Sequence, residues 1–404
     1  MACADVMTRL RARGHEIHVL TSLGQREASA VPAAGEEQVH RLLDFVPLYQ
    51  AQAEPIGQRA GREWRNQRAC RQVIDVCRPD IISLWDMWGL LPSLLTVLSR
   101  AGRPVTCAVS SPWMLEYAAI PDRWTAFWSA GQSTGPKRWA KRMAGRVLRP
   151  LVDLKAPVGG WQSDLCRAFF VSQSLKARHV AVGLAAVDAP VIYHGIDPAQ
   201  FAPRRRPESA GRKLLVAGRV VAEKGIHTAI EALARLPVEE RTVGLTLDIV
   251  GPQPDPDYAR SLLALVARHG LEKVVRFQSK VPRRDMPAVY LAHDVLVFPS
   301  VWEEPFALVL LEAMACGLTV VGTLTGGSPE VLQPEVTGLS FSAGDAGGLT
   351  RQLTRLWTEP GLRVALSTRA RRLVQHDFTI DRMVEQVERF LNDSSCSYVP
   401  GGET

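Results

Sequence analysis

Two carboxylates and two cations in this chain stand at spacings that could do chemistry. Glu304 and Glu312 lie eight positions apart in the run SVWEEPFALVLLEAMACG, Ser300 to Gly317. The preceding VLVF, Val295 to Phe298, reads as a short buried strand. Pro305 suits the first position of a helix, where its missing N–H would go unpaired in any case, and Gly317 suits the stop. This makes Glu304 the N-cap, projecting beyond the strand end, and places Glu312 about two turns into the helix. Leu308, Leu311 and Ala315 then share the face that packs on the sheet. Earlier in the chain, AGRVVAEKG, Ala217 to Gly225, follows another strand pattern. Gly218 permits a tight turn, Arg219 and Lys224 bring positive charge, and a helix opens near Gly225. A turn at the carboxyl end of a parallel strand, followed by a helix N-terminus, is a natural anion site. Taken singly, each motif has a plain alternative: Glu304 as an ordinary cap, Glu312 as an exposed acid, Arg219 and Lys224 as solvated cations.

The elements that must position these groups follow a βα rhythm. Short β-branched runs alternate with helical patterns, which predicts parallel sheets. Expected strands are His18 to Leu20, Ile81 to Leu84, Val105 to Val109, Ala168 to Val171 and Val191 to Tyr193. After a break come Leu214 to Ala217, Leu245 to Val250, Val274 to Phe277, Val295 to Phe298 and Thr319 to Gly322. The break is the basic, proline-bearing FAPRRRPESAGRK, Phe201 to Lys213. At 404 residues the chain suits two domains, each with its own core. The division expected is 1–200, a linker at 201–213, 214–376, a returning helix at 377–392 and a disordered tail at 393–404.

Composition excludes several classes. No apolar run approaches the length that spans a bilayer, and no signal peptide is visible. The seven cysteines are scattered, odd in number and without C-x-x-C or Cys/His ligand spacing. A reduced, cytoplasmic compartment is expected, with neither a disulfide framework nor a zinc site. The net charge of +7 suits an anionic surface, but no nucleic-acid motif accompanies it, so no nucleic-acid partner is expected.

The Ser300 to Gly317 segment closely resembles the E-x7-E signature of retaining GT-B glycosyltransferases of the family 4 type, the glycosyl transferases group 1, which reads EPFGLVxLEAMACG. The resemblance implies an α/β GT-B fold, two doubly wound Rossmann-like domains facing a cleft. It implies transfer of a sugar, most simply a hexose, from a nucleotide-sugar donor to a glycan, lipid-linked or small-molecule acceptor in carbohydrate biosynthesis. The first acid, here Glu304, would contact donor-sugar hydroxyls, and the second, Glu312, the ribose. Pro305, Phe306, Ala307 and Leu308 would line the donor. Ala307 replaces the usual glycine and puts a methyl group beside the donor sugar, with an expected influence on sugar preference. Arg219 and Lys224 match the diphosphate-binding loop and would stabilise the leaving nucleoside diphosphate. Glu304, Arg219 and Lys224 are thus the expected catalytic residues. IVGPQ, with Gly251, resembles the glycine turn that approaches the nucleotide, and TGGSPE, Thr325 to Glu330, the glycine-rich loop whose amides face the diphosphate. HGID, His194 to Asp197, resembles the segment entering the linker, where the Gly turns the chain and the Asp fixes a hinge. No metal or other cofactor is expected; Asp255-Pro256-Asp257 only superficially matches a metal-binding D-x-D.

The first domain departs from the pattern. RLRARGHEIHVLTS, Arg9 to Ser22, resembles the family's first helix and second strand, so an earlier strand and Gly-Gly loop are expected before Met1 and are missing from this sequence. Ser110 and Ser111 in VSSPW occupy a place where many relatives carry a His-Asp pair. These departures leave a second reading, a non-catalytic nucleotide-sugar-binding relative. PKRWAKRMAGRVLRP, Pro136 to Pro150, carries six basic residues and no acid, with Trp139, Met143 and Val147 at helical spacing. It reads equally as a helix for peripheral contact with the inner membrane face and as a solvated helix resting on its own domain.

Overall fold

A computed structural model describes residues 2–22, 38–46, 54–90, 93–119, 167–202, 212–242 and 244–396. Its strands are β1 Val19–Ser22, β2 Val39–Leu43, β3 Ile82–Trp85, β4 Val105–Val109 and β5 Arg167–Phe170, followed by β6 Lys213–Ala217, β7 Thr246–Val250, β8 Val275–Gln278, β9 Val295–Phe298, β10 Thr319–Gly322 and β11 Gly338–Ser340. Every pairing between them is parallel.

β6 to β11 form one sheet in the order β11-β10-β9-β6-β7-β8. β9 and β10 are buried at every residue, which is why they read as unbroken apolar runs: a parallel sheet is covered on both faces. Alternate residues serve opposite cores. Leu214, Val216, Val295 and Val297 pack with Ile226, Ile230 and Leu233 of helix Ile226–Ala234. Leu215, Leu296 and Phe298 pack with Leu310, Leu311 and Met314 of helix Leu308–Ala315. The chain winds outward from β6 to β8, then returns to lay β9 against β6 and winds the other way. β6 and β9 pair only at Leu214 with Val295 and Leu215 with Leu296. Their carboxyl ends therefore diverge at the switch in winding, the place where open α/β sheets hold ligands.

The earlier strands fall into two sheets, β1-β2 and β3-β4-β5. Among the described residues, β1 and β3 each have one edge with no strand beside it. Val191 to Tyr193 is not a strand, contrary to expectation. It makes one bridge to Phe170 through two backbone hydrogen bonds, and then Gly195 carries the chain against Thr379. A Cβ on Gly195 would meet Thr379 O at 2.2 Å, so only glycine permits that approach. β2, with His and Arg in VHRLL, and the three-residue β11 are strands the sequence pattern did not mark.

Helix Ile380–Cys396 returns to the early strands, setting Met383, Val384, Val387 and Phe390 against Val6, Leu10, Ala108 and Phe169. Arg9 ties this junction by pairing with Asp197 and Asp381, each at 2.9 Å. The helix continues past the expected end at residue 392, because buried Ser394 bonds back to Phe390 O at 2.7 Å and keeps the last turn packed. Residues 393–396 are thus helical rather than part of a tail. The basic stretch 136–150 and most of the linker lie outside the described residues. Among those described, no helix is long and apolar enough to cross a membrane.

Candidate functional site

The loops after β6 and β9 meet at the switch. After β6 the chain turns at Gly218, makes a short 3-10 turn over Ala222–Lys224, and enters helix Ile226–Ala234 through Gly225 at φ 62°. The tightness of this approach is set by the neighbouring loop: a Cβ on Gly251 would lie 1.8 Å from Gly218 O. The turns after β6 and β7 therefore stack backbone on backbone, with Gly218 N donating to Val250 O at 3.0 Å.

Lys224 and Glu304, eighty positions apart in the chain, are brought into contact here as a partly buried ion pair. Ser300 Oγ donates to the same carboxylate oxygen at 2.7 Å. Lys224 Nζ also stands 5.9 Å from the centre of the Trp302 ring, a cation–π distance. Glu304 is not the helix cap that the sequence predicts. The helix begins only at Leu308, with Ala307 at the cap position. The reason is that the preceding loop is fastened elsewhere: Lys224 and Ser300 hold the Glu304 side chain, and Gly327 N donates to its carbonyl at 2.7 Å. Gly326, at φ 57°, comes so close that a Cβ would meet Glu304 N at 2.5 Å. Ala307 has φ −93°, a conformation any residue adopts, so alanine in place of the usual glycine carries no backbone strain.

Glu312 is buried in the helix, not an exposed acid. Tyr290 Oη donates to it at 2.7 Å, and Arg283 Nε lies 3.9 Å from its other oxygen. Burial pushes the Glu312 carboxyl above its usual range, against the pull of Tyr290 and Arg283. Arg283 also pairs with Asp5 at 2.6 Å, so helix Ala2–Ala12 reaches the rim of this site. Arg219 is not drawn in: its side chain is about half exposed and lies 3.9 Å from Glu223. Phe306 packs its ring against Tyr193, His194 and Phe378 at centre distances of 5.8, 5.8 and 6.0 Å. Pro305 is buried beside it and Leu308 is half-buried. One early amide of helix Ile226–Ala234, His227 N, is taken by Tyr258 Oη at 3.3 Å.

Ser300, Tyr290 and Arg283 were not singled out from the sequence. Ser300 follows a recognised strand and was within reach; Arg283 finds its partner Asp5 across 278 positions, where no local pattern points. Glu330 is a further contact of this kind, accepting from the amides of Gln173 and Ser174 at 2.8 and 3.0 Å, at the start of helix Gln173–Ala181. Asp255 caps helix Pro256–Arg268, accepting from Asp257 N and Tyr258 N, while Asp257 pairs with Arg260. Ser111 Oγ, just past β4, is buried with no hydrogen-bond partner among the described residues. His194 is buried beneath Phe306, and burial pushes its imidazole down to about 4.

Two family models tile the chain, Glycosyltransferase Family 4 over residues 2–200 and Glycosyl transferases group 1 over residues 200–373. The chain belongs to the group 1 glycosyltransferases. This group 1 protein is 34% identical over 198 residues to the glycogen synthase of Mycobacterium tuberculosis, covering 48% of this chain and 46% of the relative. It is 32% identical over 228 residues to the D-inositol 3-phosphate glycosyltransferase of Salinispora arenicola, covering 52% and 50%. The chain thus spans about half the length of the curated relatives it matches. Among solved structures it is similar to a glycosyltransferase from Rickettsia africae, with a TM-score of 0.71 at 15% identity over 98% of this chain and 95% of that one. It is also similar to Anabaena HepE in complex with UDP and glucose, with a TM-score of 0.60 at 21% identity over 81% and 82%. The two-part parallel α/β architecture is the GT-B fold.

Proposed function

We propose that this chain moves a sugar from a nucleotide-sugar donor to an acceptor hydroxyl, with retention at the anomeric carbon. The observation that carries the reading is the Lys224–Glu304 pair, seated at the switch point of a six-stranded parallel sheet and flanked by glycine turns. In the structure each charge serves as partner for the other. A bound donor replaces this partnership: Lys224 turns to the diphosphate, and Glu304 accepts from sugar hydroxyls. Glu312, already oriented by Tyr290, accepts from the ribose, and Arg219, solvated at the rim, adds a second positive charge near the phosphates. A structural neighbour in complex with UDP and glucose supports a nucleotide-sugar as the donor.

In the reaction the bond from the anomeric carbon to the phosphate oxygen breaks and its electron pair leaves with the diphosphate. The acceptor oxygen forms the new bond on the same face, and its proton passes to the departing phosphate. Lys224 and Arg219 stabilise the charge that develops there. No divalent ion enters this scheme, since the cations offset the diphosphate and Asp255 and Asp257 are engaged at a helix start. The acceptor, whether glycan, lipid-linked or small, is assigned to the first domain. A cavity of about 550 Å³ beyond the carboxyl end of β2, lined by Asp44, Phe45, Glu54, Arg62 and Arg65, supports that side. The separate β1-β2 and β3-β4-β5 sheets favour the second reading, binding without transfer. Turnover of UDP-, GDP- and ADP-sugars by wild type and Glu304→Gln decides between them. Transfer by wild type that Glu304→Gln lacks, with an anomeric product of unchanged configuration by proton NMR, supports the proposal. Donor binding with no transfer to any acceptor supports the second reading.

A further inference from the structure

The sequence spacing gave no reason to expect a metal site, because His18, His40 and Cys77 are separated by 21 and 36 intervening residues. The fold assembles them. His18 sits just before β1, His40 is the second residue of β2 and opposes Leu20 across the parallel ladder, and Cys77 ends helix Ile56–Cys77. Their ligand atoms all lie within 4.8 Å of one another. His18 Nδ1 is 3.2 Å from His40 Nε2, and Cys77 Sγ is 4.0 Å from the same His40 nitrogen. The two imidazole rings lie nearly parallel, 16° apart.

We infer that His18, His40 and Cys77 form a zinc-class metal site that staples the amino end of β1 and β2 to the end of helix Ile56–Cys77. Nitrogen ligands at about 2.0–2.1 Å from a tetrahedral Zn²⁺ stand about 3.3 Å from each other and about 3.6 Å from a thiolate sulfur. The observed separations match the first value and approach the second. Two imidazole nitrogens aimed at each other across 3.2 Å compete for one proton, and a cation between them satisfies both lone pairs. Cys77 at 4.0 Å is too far to serve as a strong hydrogen-bond partner but needs only a small shift to ligate. Two nitrogens and a sulfur select a borderline-soft ion over Mg²⁺ or Ca²⁺. A support lies behind the ligands as well. Glu16 Oε1 lies 3.0 Å from His18 Nε2 and can accept from it, with Nδ1 turned toward the site, the arrangement carboxylates make behind metal-bound histidines. The fourth position is left to water. The site lies toward the amino end of the β1-β2 sheet, away from the carboxyl end of β2 where the acceptor is assigned, so its role is to hold an edge of the first domain and not to take part in transfer.

The test uses the full chain, stripped with a chelator, exchanged into metal-free buffer and titrated with Zn²⁺ against a chromophoric competitor, then with Co²⁺ as a spectroscopic probe. Wild type should take up one Zn²⁺ per chain. Its Co²⁺ form should show a thiolate-to-metal charge-transfer band that Cys77→Ser lacks, and His40→Ala should weaken binding at least 100-fold. Glu16→Gln, on an exposed residue with little bearing on folding, should weaken it by about 10–100-fold, the usual effect of losing such a support. Mg²⁺ and Ca²⁺ should not compete. The inference is overturned if wild type binds Zn²⁺ no better than the His40→Ala/Cys77→Ser double variant, or if Cys77→Ser keeps the charge-transfer band.

Discussion

Replacing Lys224 with alanine strands a buried carboxylate. The side chains of Lys224 and Glu304 are 22% and 7% exposed, and among the described residues the other hydrogen bond to the Glu304 carboxylate comes from Ser300. Breaking a fully buried pair by removing one partner costs about 3–5 kcal/mol, because the remaining charge is left without compensation. Lys224 keeps partial contact with water, so Lys224→Ala should cost less, about 2–3 kcal/mol. If the cost arises from the stranded charge, neutralising it should recover most of the loss. The double variant Lys224→Ala/Glu304→Gln should therefore be more stable than Lys224→Ala alone, with a coupling energy of about 2 kcal/mol. Urea denaturation of wild type, both single variants and the double variant, followed by circular dichroism, measures all four corners of the cycle. The reasoning is refuted if Lys224→Ala is as stable as wild type, or if adding Glu304→Gln destabilises it further.

His194, with its pKa lowered by burial to about 4, makes stability depend on pH with a definite sign. The unfolded imidazole takes up its proton near pH 6.5, so this contribution is fully present above that pH and is lost as pH falls toward 4, by about 1.4 kcal/mol per unit; denaturation midpoints of wild type and His194→Gln between pH 7.5 and 4.5 should converge if the assignment holds and stay parallel if it does not. Gly326→Ala should destabilise by at least about 2 kcal/mol and weaken donor binding, because φ 57° disfavours alanine and its Cβ would press on the Glu304 backbone; a neutral thermal melt contradicts this. Asp255→Ala should lose about 1 kcal/mol as a helix cap and leave sugar transfer and its insensitivity to chelator unchanged, whereas loss of transfer restored by manganese in wild type would return the aspartate pair to the active site.

Much of this arrangement was legible because parallel strands write themselves as contiguous apolar runs. VLVF and TVVG were placed to the residue, and the glycines of the loops followed from turns that have little choice of residue. The helix start was misplaced because Pro305 and Glu304 carry the local chemistry of a cap, while the forces that fix them are tertiary: Lys224 on one side and Gly327 on the other. β2 was missed because His40 and Arg41 interrupt its apolar pattern, although its backbone pairs with β1. The Tyr290–Glu312–Arg283–Asp5 chain and the His18, His40, Cys77 cluster have no local signature at all. Each joins residues whose proximity exists only after the strands have been laid in order.

The central claim, that the diphosphate of a nucleotide-sugar sits against Lys224 at the switch point, is tested most directly by calorimetric titration of UDP, GDP and ADP into wild type and Lys224→Ala at two salt concentrations. The account predicts that at least one nucleotide binds wild type, that its affinity falls as salt rises because the contacts are charge-assisted, and that Lys224→Ala weakens it at least tenfold, about 1.4 kcal/mol. Equal affinities for the two proteins would remove Lys224 from the site and contradict the account.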